Sequence, residues 1–238
     1  MSSRTWAITV SGLITSRDNE KLKLVRKLHS RRERDRSGLF VCEGEDLVEA
    51  ARAAGVAPVE LLVAGEDVDE RLLAEVSTLG HPPRVIGVYR RADLGSRGAL
   101  PARGLALWRV ADPGNVGTLV RTADALGPSF VALSAGCADP TAPKAVRASM
   151  GALFRVPLIA FDDAPRPWVA LVARGGADLE PLGAGTFVLG AEREGVPAEL
   201  LDRCDAAATI PLARGAESLN VAAAGAIALY EATRGPAG

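Results

Sequence analysis

The chain has 238 residues, 48% hydrophobic and 24% charged, with 28 Lys and Arg against 29 Asp and Glu for a net charge of −1. That balance suits a globular protein of one or two domains, excludes wholesale disorder, and leaves any polyanion partner to a local patch. Three dispersed cysteines (Cys42, Cys137, Cys204) and two histidines (His29, His81) argue against a disulfide scaffold, a zinc knuckle or a His-rich metal site, so no metal is expected. Arg4 precedes a short mixed stretch, 6–10, and then polar residues, which is not an export signal. No apolar run reaches the roughly 18 residues of a membrane span, so a soluble cytoplasmic protein without a membrane partner is expected.

Residues 17–36 hold nine basic and four acidic residues. Leu24, Val25 and Leu28 share one side of a helix, and Lys23, Arg26, Lys27, Arg31 and Arg34 occupy much of the rest. Such a run is either a solvated face or a phosphate-contacting surface. A strand is predicted at 39–42, ended by Glu43-Gly44, and a helix at 45–54 that turns Leu47, Val48 and Ala51 inward, with Gly55 as its C-terminal cap. A strand at 59–63, a helix at 69–78 and a strand at 85–89 complete a small α/β domain over 1–94. Residues 95–103 (GSRGALPAR) lack periodicity and read as a linker. Over 104–238 the α/β rhythm resumes: strands at 105–110, 129–133, 186–190 and 207–210, helices at 116–126, 142–151, 165–174 and 219–233.

Three segments of this second domain carry chemistry. Asp112-Pro113-Gly114-Asn115 sits at a strand end and opens a helix, with Asn115 as its expected N-cap. Val116, Leu119, Val120 and Ala123 then face the core, while Thr118 and Arg121 share another face. An arginine there can bind an anion, although a plain surface arginine is the alternative. Next, an apolar strand enters Leu189-Gly190-Ala191-Glu192-Arg193-Glu194-Gly195, which delivers Glu192 to the carboxyl end of a strand, where open α/β sheets bind ligands. A tight turn explains this pattern as well. Finally, Ile210-Pro211-Leu212 leads through Ser218-Leu219-Asn220 into a helix rich in small residues, where Leu219, Ala222, Ala223, Ala226, Ile227 and Tyr230 form a stripe. Ser218 and Asn220 stand where simple capping would also put them.

Taken together, N-x-G-x-x-x-R-x-A, L-G-x-E-x-x-G and I-P-x-x-x-G-x-x-S-L-N-V resemble, in that order, the SpoU/TrmH class of SPOUT RNA 2′-O-methyltransferases. The stretch Lys144 to Ala152 also resembles that class, and Ser16, Asn19, Lys23 and Phe40 with Glu43-Gly44 are similar to its ribosomal-protein-like substrate-binding domain. The resemblance implies a parallel sheet with a C-terminal trefoil knot, S-adenosylmethionine as cofactor, a homodimer, and RNA, chiefly large-subunit ribosomal RNA, as partner. It implies a cofactor site of Leu189, Gly190, Ile210, Leu212 and Leu219. Arg121 matches the catalytic arginine, with Asn115, Glu192, Ser218 and Asn220 positioning ribose, cofactor or Arg121. Arg121 is expected to act electrostatically, since a guanidinium with a pKa above ~12 is a poor base. RNA would meet Lys23, Arg26, Lys27, Arg31 and Arg34. Ala222 and Leu212 depart from the Ser and Met common in the class, which touches cofactor packing. A noncatalytic RNA-binding or ribosome-assembly protein on the same fold and a tRNA 2′-O-methyltransferase are the alternative readings.

Overall fold

The computed structural model describes residues 12–95, 98–179, 185–213 and 216–234. The stretch read as lacking an export signal (1–11), residues 96–97 of the linker, and residues 214–215 of the third segment lie outside the described residues. Among the described residues, no helix is long and apolar enough to cross a membrane.

The first half begins with α1 (Glu20–Leu28), whose N-cap Asn19 accepts from the Lys21 N–H at 2.9 Å. Leu22, Val25 and Leu28 are its buried side; Leu24 is only half-buried. The basic run is two helices and not one, because the chain breaks at His29-Ser30 before α2 (Arg31–Ser37). Then follow β1 (Leu39–Glu43), α3 (Glu45–Ala53), β2 (Glu60–Val63), α4 (Glu70–Val76) and β3 (Val85–Arg90). The strands form an antiparallel sheet ordered β1-β3-β2.

The second half contains β4 (Arg103–Leu107), α5 (Pro113–Ala125), β5 (Phe130–Leu133), α6 (Pro143–Ser149), β6 (Leu158–Ala160), β7 (Trp168–Leu171), β8 (Ala177–Asp178), β9 (Gly185–Leu189), α7 (Ala198–Leu201), β10 (Ala206–Thr209) and α8 (Val221–Thr233). Its seven strands are parallel, ordered β6-β5-β4-β9-β7-β10-β8. Parallel sheets are covered on both faces, and the central strands β4 and β9 are accordingly mostly apolar and buried beyond Arg103. On one face Leu105, Leu107, Val131, Phe187 and Leu189 pack with Val116, Leu119, Val120 and Ala123 of α5, as predicted, and with α8. On the other, Ala106, Phe130, Ala132 and Val188 pack with Phe161, Trp168 and Leu200. Gly225 lets α8 approach α5: a Cβ there would lie 2.4 Å from Leu119 Cδ2.

Several expectations need correction. Residues 165–174 hold strand β7 and no helix, because Pro165 and Pro167 bar helical hydrogen bonding and Trp168 to Leu171 alternate buried and half-buried between β9 and β10. The strand predicted at 105–110 stops at Leu107, since Arg109 adopts φ 54° and turns the chain. The helix predicted at 142–151 ends at Ser149, before the left-handed Met150 and Gly151. The stripe on the last helix is also displaced. Val221, Ala222, Gly225, Ala228, Leu229 and Ala232 are buried, whereas Leu219 and Tyr230 are 38% and 52% exposed.

The halves share a core. Phe40 packs tilted and Tyr89 edge-on against Phe154, with ring centroids 6.1 and 5.2 Å apart, beside Cys42, Leu47, Val146 and Leu153.

Candidate active site

The site lies at the carboxyl ends of β4, β7, β9 and β10. Asp112, and not Asn115, caps α5: its Oδ1 accepts from the Asn115 N–H at 2.9 Å, with Pro113 in the first helical position. Its Oδ2 accepts from Lys144 Nζ at 2.6 Å. The hydrogen bonds from Lys144 and from the Asn115 amide hold the Asp112 carboxyl below the usual aspartate range. Asn115 thus sits inside the first turn with its side-chain amide free to reach elsewhere. The Asp-Pro pair was the sequence signal for this cap.

β9 delivers Glu192 through a turn closed by the Gly195 N–H on the Ala191 carbonyl at 2.8 Å. The turn folds so tightly over Gly190 that a Cβ there would come within 2.0 Å of the Gly195 carbonyl carbon. Glu192 Oε1 accepts from Asn115 Nδ2 at 3.0 Å, and the N–H groups of Asp112 and Ala111 approach its two oxygens at 3.4 Å. Burial pushes this carboxyl up, but the bonds from Asn115 and the backbone outweigh it and hold Glu192 below the usual range. It is a carboxylate at neutral pH, an acceptor and a poor base.

The third segment closes the network. Asn220 caps α8 through Oδ1, which accepts from the Ala222 and Ala223 N–H groups at 2.9 and 3.3 Å, while its Nδ2 donates to Asn115 Oδ1 at 3.2 Å. Both amides have only one orientation that satisfies this chain. A carboxylate at one end can only accept, and the helix N–H groups at the other can only donate. Residues 77 and 105 positions apart are thereby locked together.

Beside this network opens a cleft of about 320 Å³, within the ~300–1,000 Å³ range of small-molecule sites. Leu189, Gly190, Ile210, Leu212 and Leu219 all line it, together with Glu192, Ser218 and Asn220. Leu171, Val172 and Ala173 line it too; sequence reasoning missed them because it read their segment as helix. Arg121 does not line it. Six residues beyond Asn115 on α5, it lies about 9 Å along the axis and on another side, exposed, with Thr118 exposed on the same side.

The basic helices are only partly as expected. Lys27 is exposed, Lys23 pairs with Glu20 at 3.0 Å, Arg26 donates to the Arg17 carbonyl at 2.8 Å, and Arg31 pairs with Asp35 at 3.6 Å. Arg34 is 3% exposed and cannot belong to an RNA-facing surface. It is turned inward onto Asp139 at 2.8 Å, a partner 105 residues away.

Residues 103–230 match the model of the SpoU rRNA Methylase family, more than half of the chain. The chain belongs to the SpoU rRNA methylase family. Residues 19–90 match the MRM3-like substrate binding domain. The chain is 31% identical to the Bacillus subtilis 23S rRNA (guanosine(2553)-2′-O)-methyltransferase RlmP, covering 91% of this chain and 97% of that protein. The crystal structure of an AdoMet-bound rRNA methyltransferase from Sinorhizobium meliloti is 30% identical with a TM-score of 0.84, covering 95% and 99% of the two chains. The SpoU methyltransferase AviRb from Streptomyces viridochromogenes, in complex with AdoMet, is 26% identical with a TM-score of 0.79, covering 91% and 97%.

Proposed function

We propose that this SpoU-family chain is an S-adenosylmethionine-dependent RNA ribose 2′-O-methyltransferase acting on large-subunit ribosomal RNA in the cytoplasm. The observation that carries this is the Glu192–Asn115–Asn220 chain, which binds three remote loops into one wall beside the cleft. The names of the relatives support the substrate and the reaction.

The cleft residues fit the cofactor. Leu171, Leu189, Ile210, Leu212 and Leu219 offer apolar surface to an adenine, and among the described residues the amides of Leu212 and Leu219 make no hydrogen bond, leaving donors for its polar edge. S-adenosylmethionine supplies a methyl carbon already activated by a sulfonium. The protein must then align a ribose oxygen with that carbon and help its proton leave. Asn115, Ser218 and Asn220 orient the sugar, and Glu192 fixes Asn115. Arg121 holds the adjoining phosphate and lowers the cost of the developing oxyanion. Lys23, Arg26, Lys27 and Arg31 contact RNA phosphates further out.

The same reading includes a C-terminal trefoil knot, domains at 1–94 and 104–238 joined by 95–103, and a homodimer. The exposed Tyr230 and half-buried Ile227 on α8 support a second copy as their cover. So does the separation of Arg121 from its own cleft, which a partner's Arg121 would make good.

The test pairs a calorimetric titration of S-adenosylmethionine with transfer of labelled methyl groups to 23S rRNA from cells lacking the gene. Saturable binding and label on a ribose 2′-oxygen are expected. Failure of both defeats the proposal; cofactor binding without transfer to rRNA defeats the substrate assignment.

A further inference from the structure

Asp139 joins the two halves of the molecule. It is 9% exposed, and its Oδ2 accepts from Arg34 Nε at 2.8 Å and from Arg91 Nη2 at 2.7 Å, both from the first half. Its Oδ1 accepts from the N–H and the hydroxyl of Thr141 at 2.8 and 2.6 Å. Arg34 uses Nη1 to donate to the carbonyls of Leu28 and His29, each at 2.9 Å, which are end carbonyls of α1. Arg91 reaches Asp35 at 2.7 Å and Thr141 Oγ1 at 2.9 Å. One carboxylate therefore fixes α1, α2 and the end of β3.

The loop that carries Asp139 is bonded in turn to the active-site loop. The Ala138 N–H donates to the Val110 carbonyl at 2.9 Å, and Cys137 Sγ donates to the Leu107 carbonyl at 3.2 Å. Val110 precedes Ala111 and Asp112, whose N–H groups face Glu192. A short, fully bonded path thus runs from the basic helix α1 to the Asn115–Glu192 pair. Buried ion pairs add little stability over apolar residues of the same volume, but their hydrogen bonds are directional, and here they tie one carboxylate to Arg34 and Arg91 of the first half.

We propose that Asp139, through Arg34 and Arg91, is a positioning residue: it fixes the basic face of α1 relative to the active-site wall and so sets which ribose of a bound RNA reaches the cleft. This rests on the methyltransferase reading. The test compares the full-length wild type with Arg34→Met/Asp139→Asn, which removes both buried charges together. Arg34→Lys is the second variant; it keeps the charge but gives up the fork that holds Asp139 and the carbonyls at once. Four readouts are taken: cofactor Kd, Kd for a 23S rRNA fragment, kcat and KM for methyl transfer, and the mapped position of the methylated ribose.

Cofactor Kd is expected to stay within about twofold, while KM for RNA rises about 2- to 30-fold, the range of mutations along a coupling path, and methylation spreads to neighbouring riboses. Wild-type RNA Kd, kinetics and methylation position in both variants would overturn the proposal. So would a parallel loss of cofactor binding, RNA binding and melting temperature in both, which marks an ordinary folding element. If the wild type transfers no methyl group but the variants still lose RNA affinity selectively, the methyltransferase reading falls with the choice of ribose, and only the fixing of the basic face by Asp139 stands.

Discussion

Asn115→Asp changes one atom of the active-site network and reverses one interaction. Asn115 Nδ2 stands 3.0 Å from Glu192 Oε1; the variant puts a carboxylate oxygen in its place, while the other oxygen still accepts from Asn220. Two unit charges at 3.0 Å repel by about 1.4 kcal/mol at the dielectric of water, the appropriate end of the scale for an exposed Glu192. That is about one pKa unit, so one carboxyl of the pair titrates about one unit higher than it would without its neighbour. A carboxyl whose folded pKa is raised destabilises the fold above its unfolded value. The deficit is therefore full at neutral pH and shrinks as pH falls and a proton restores an O–H donor between the two groups. Thermal melts of variant and wild type between pH 8 and pH 4 are expected to differ by about 3–6 °C at the high end, and to converge toward the low end. Methyl transfer is expected to fall about tenfold or more at pH 8 and to recover in part on acidification. A pH-independent deficit, or none, would show that Glu192 and Asn115 do not interact as described.

Arg121→Ala should lower kcat about 10²–10³-fold, the usual cost of one preorganised charge-stabilising group, with cofactor Kd unchanged because Arg121 is assigned to the RNA phosphate and not to the cofactor; turnover near wild type would remove Arg121 from the mechanism. The paired reversal Lys23→Glu, Arg26→Glu should weaken RNA binding about tenfold or more and flatten its salt dependence by about 0.7 per lost phosphate contact, while calorimetry finds cofactor binding intact. Asp139 gives an acid limb to stability. Burial pushes its carboxyl up, yet the Thr141 hydrogen bonds, with Arg34 and Arg91, bring it below the ordinary value. Its contribution is present above the unfolded aspartate pKa of about 3.9 and is lost as pH falls through the lowered value. Melting temperatures of wild type should therefore drop more steeply below about pH 4 than those of Arg34→Met/Asp139→Asn, and parallel curves would contradict this.

Much of the second half was legible because its signals are local. The i, i+3, i+4, i+7 spacing of Val116, Leu119, Val120 and Ala123 picked the buried side of α5 without error. The five residues assigned to the cofactor all line one cleft, and Asn115 is hydrogen-bonded to both Glu192 and Asn220. What failed depended on distant partners or on weak period. A charge run cannot announce that Arg34 turns inward, because Asp139 is 105 residues away. The apolar stretch of β7 satisfies helix and strand patterns alike, and only its neighbours β9 and β10 decide. On α8, alanines occur on several sides, so periodicity could not choose which side is covered.

Among the described residues, those lining the cleft fall between Leu171 and Ala224, while the basic helices lie between Glu20 and Ser37. Translation therefore delivers the basic helices long before the residues of the cleft. A chain halted ahead of Asn220 lacks both the amide that braces Asn115 and the cap of the last helix, so the wall of the cleft closes only when the C-terminal segment is in place.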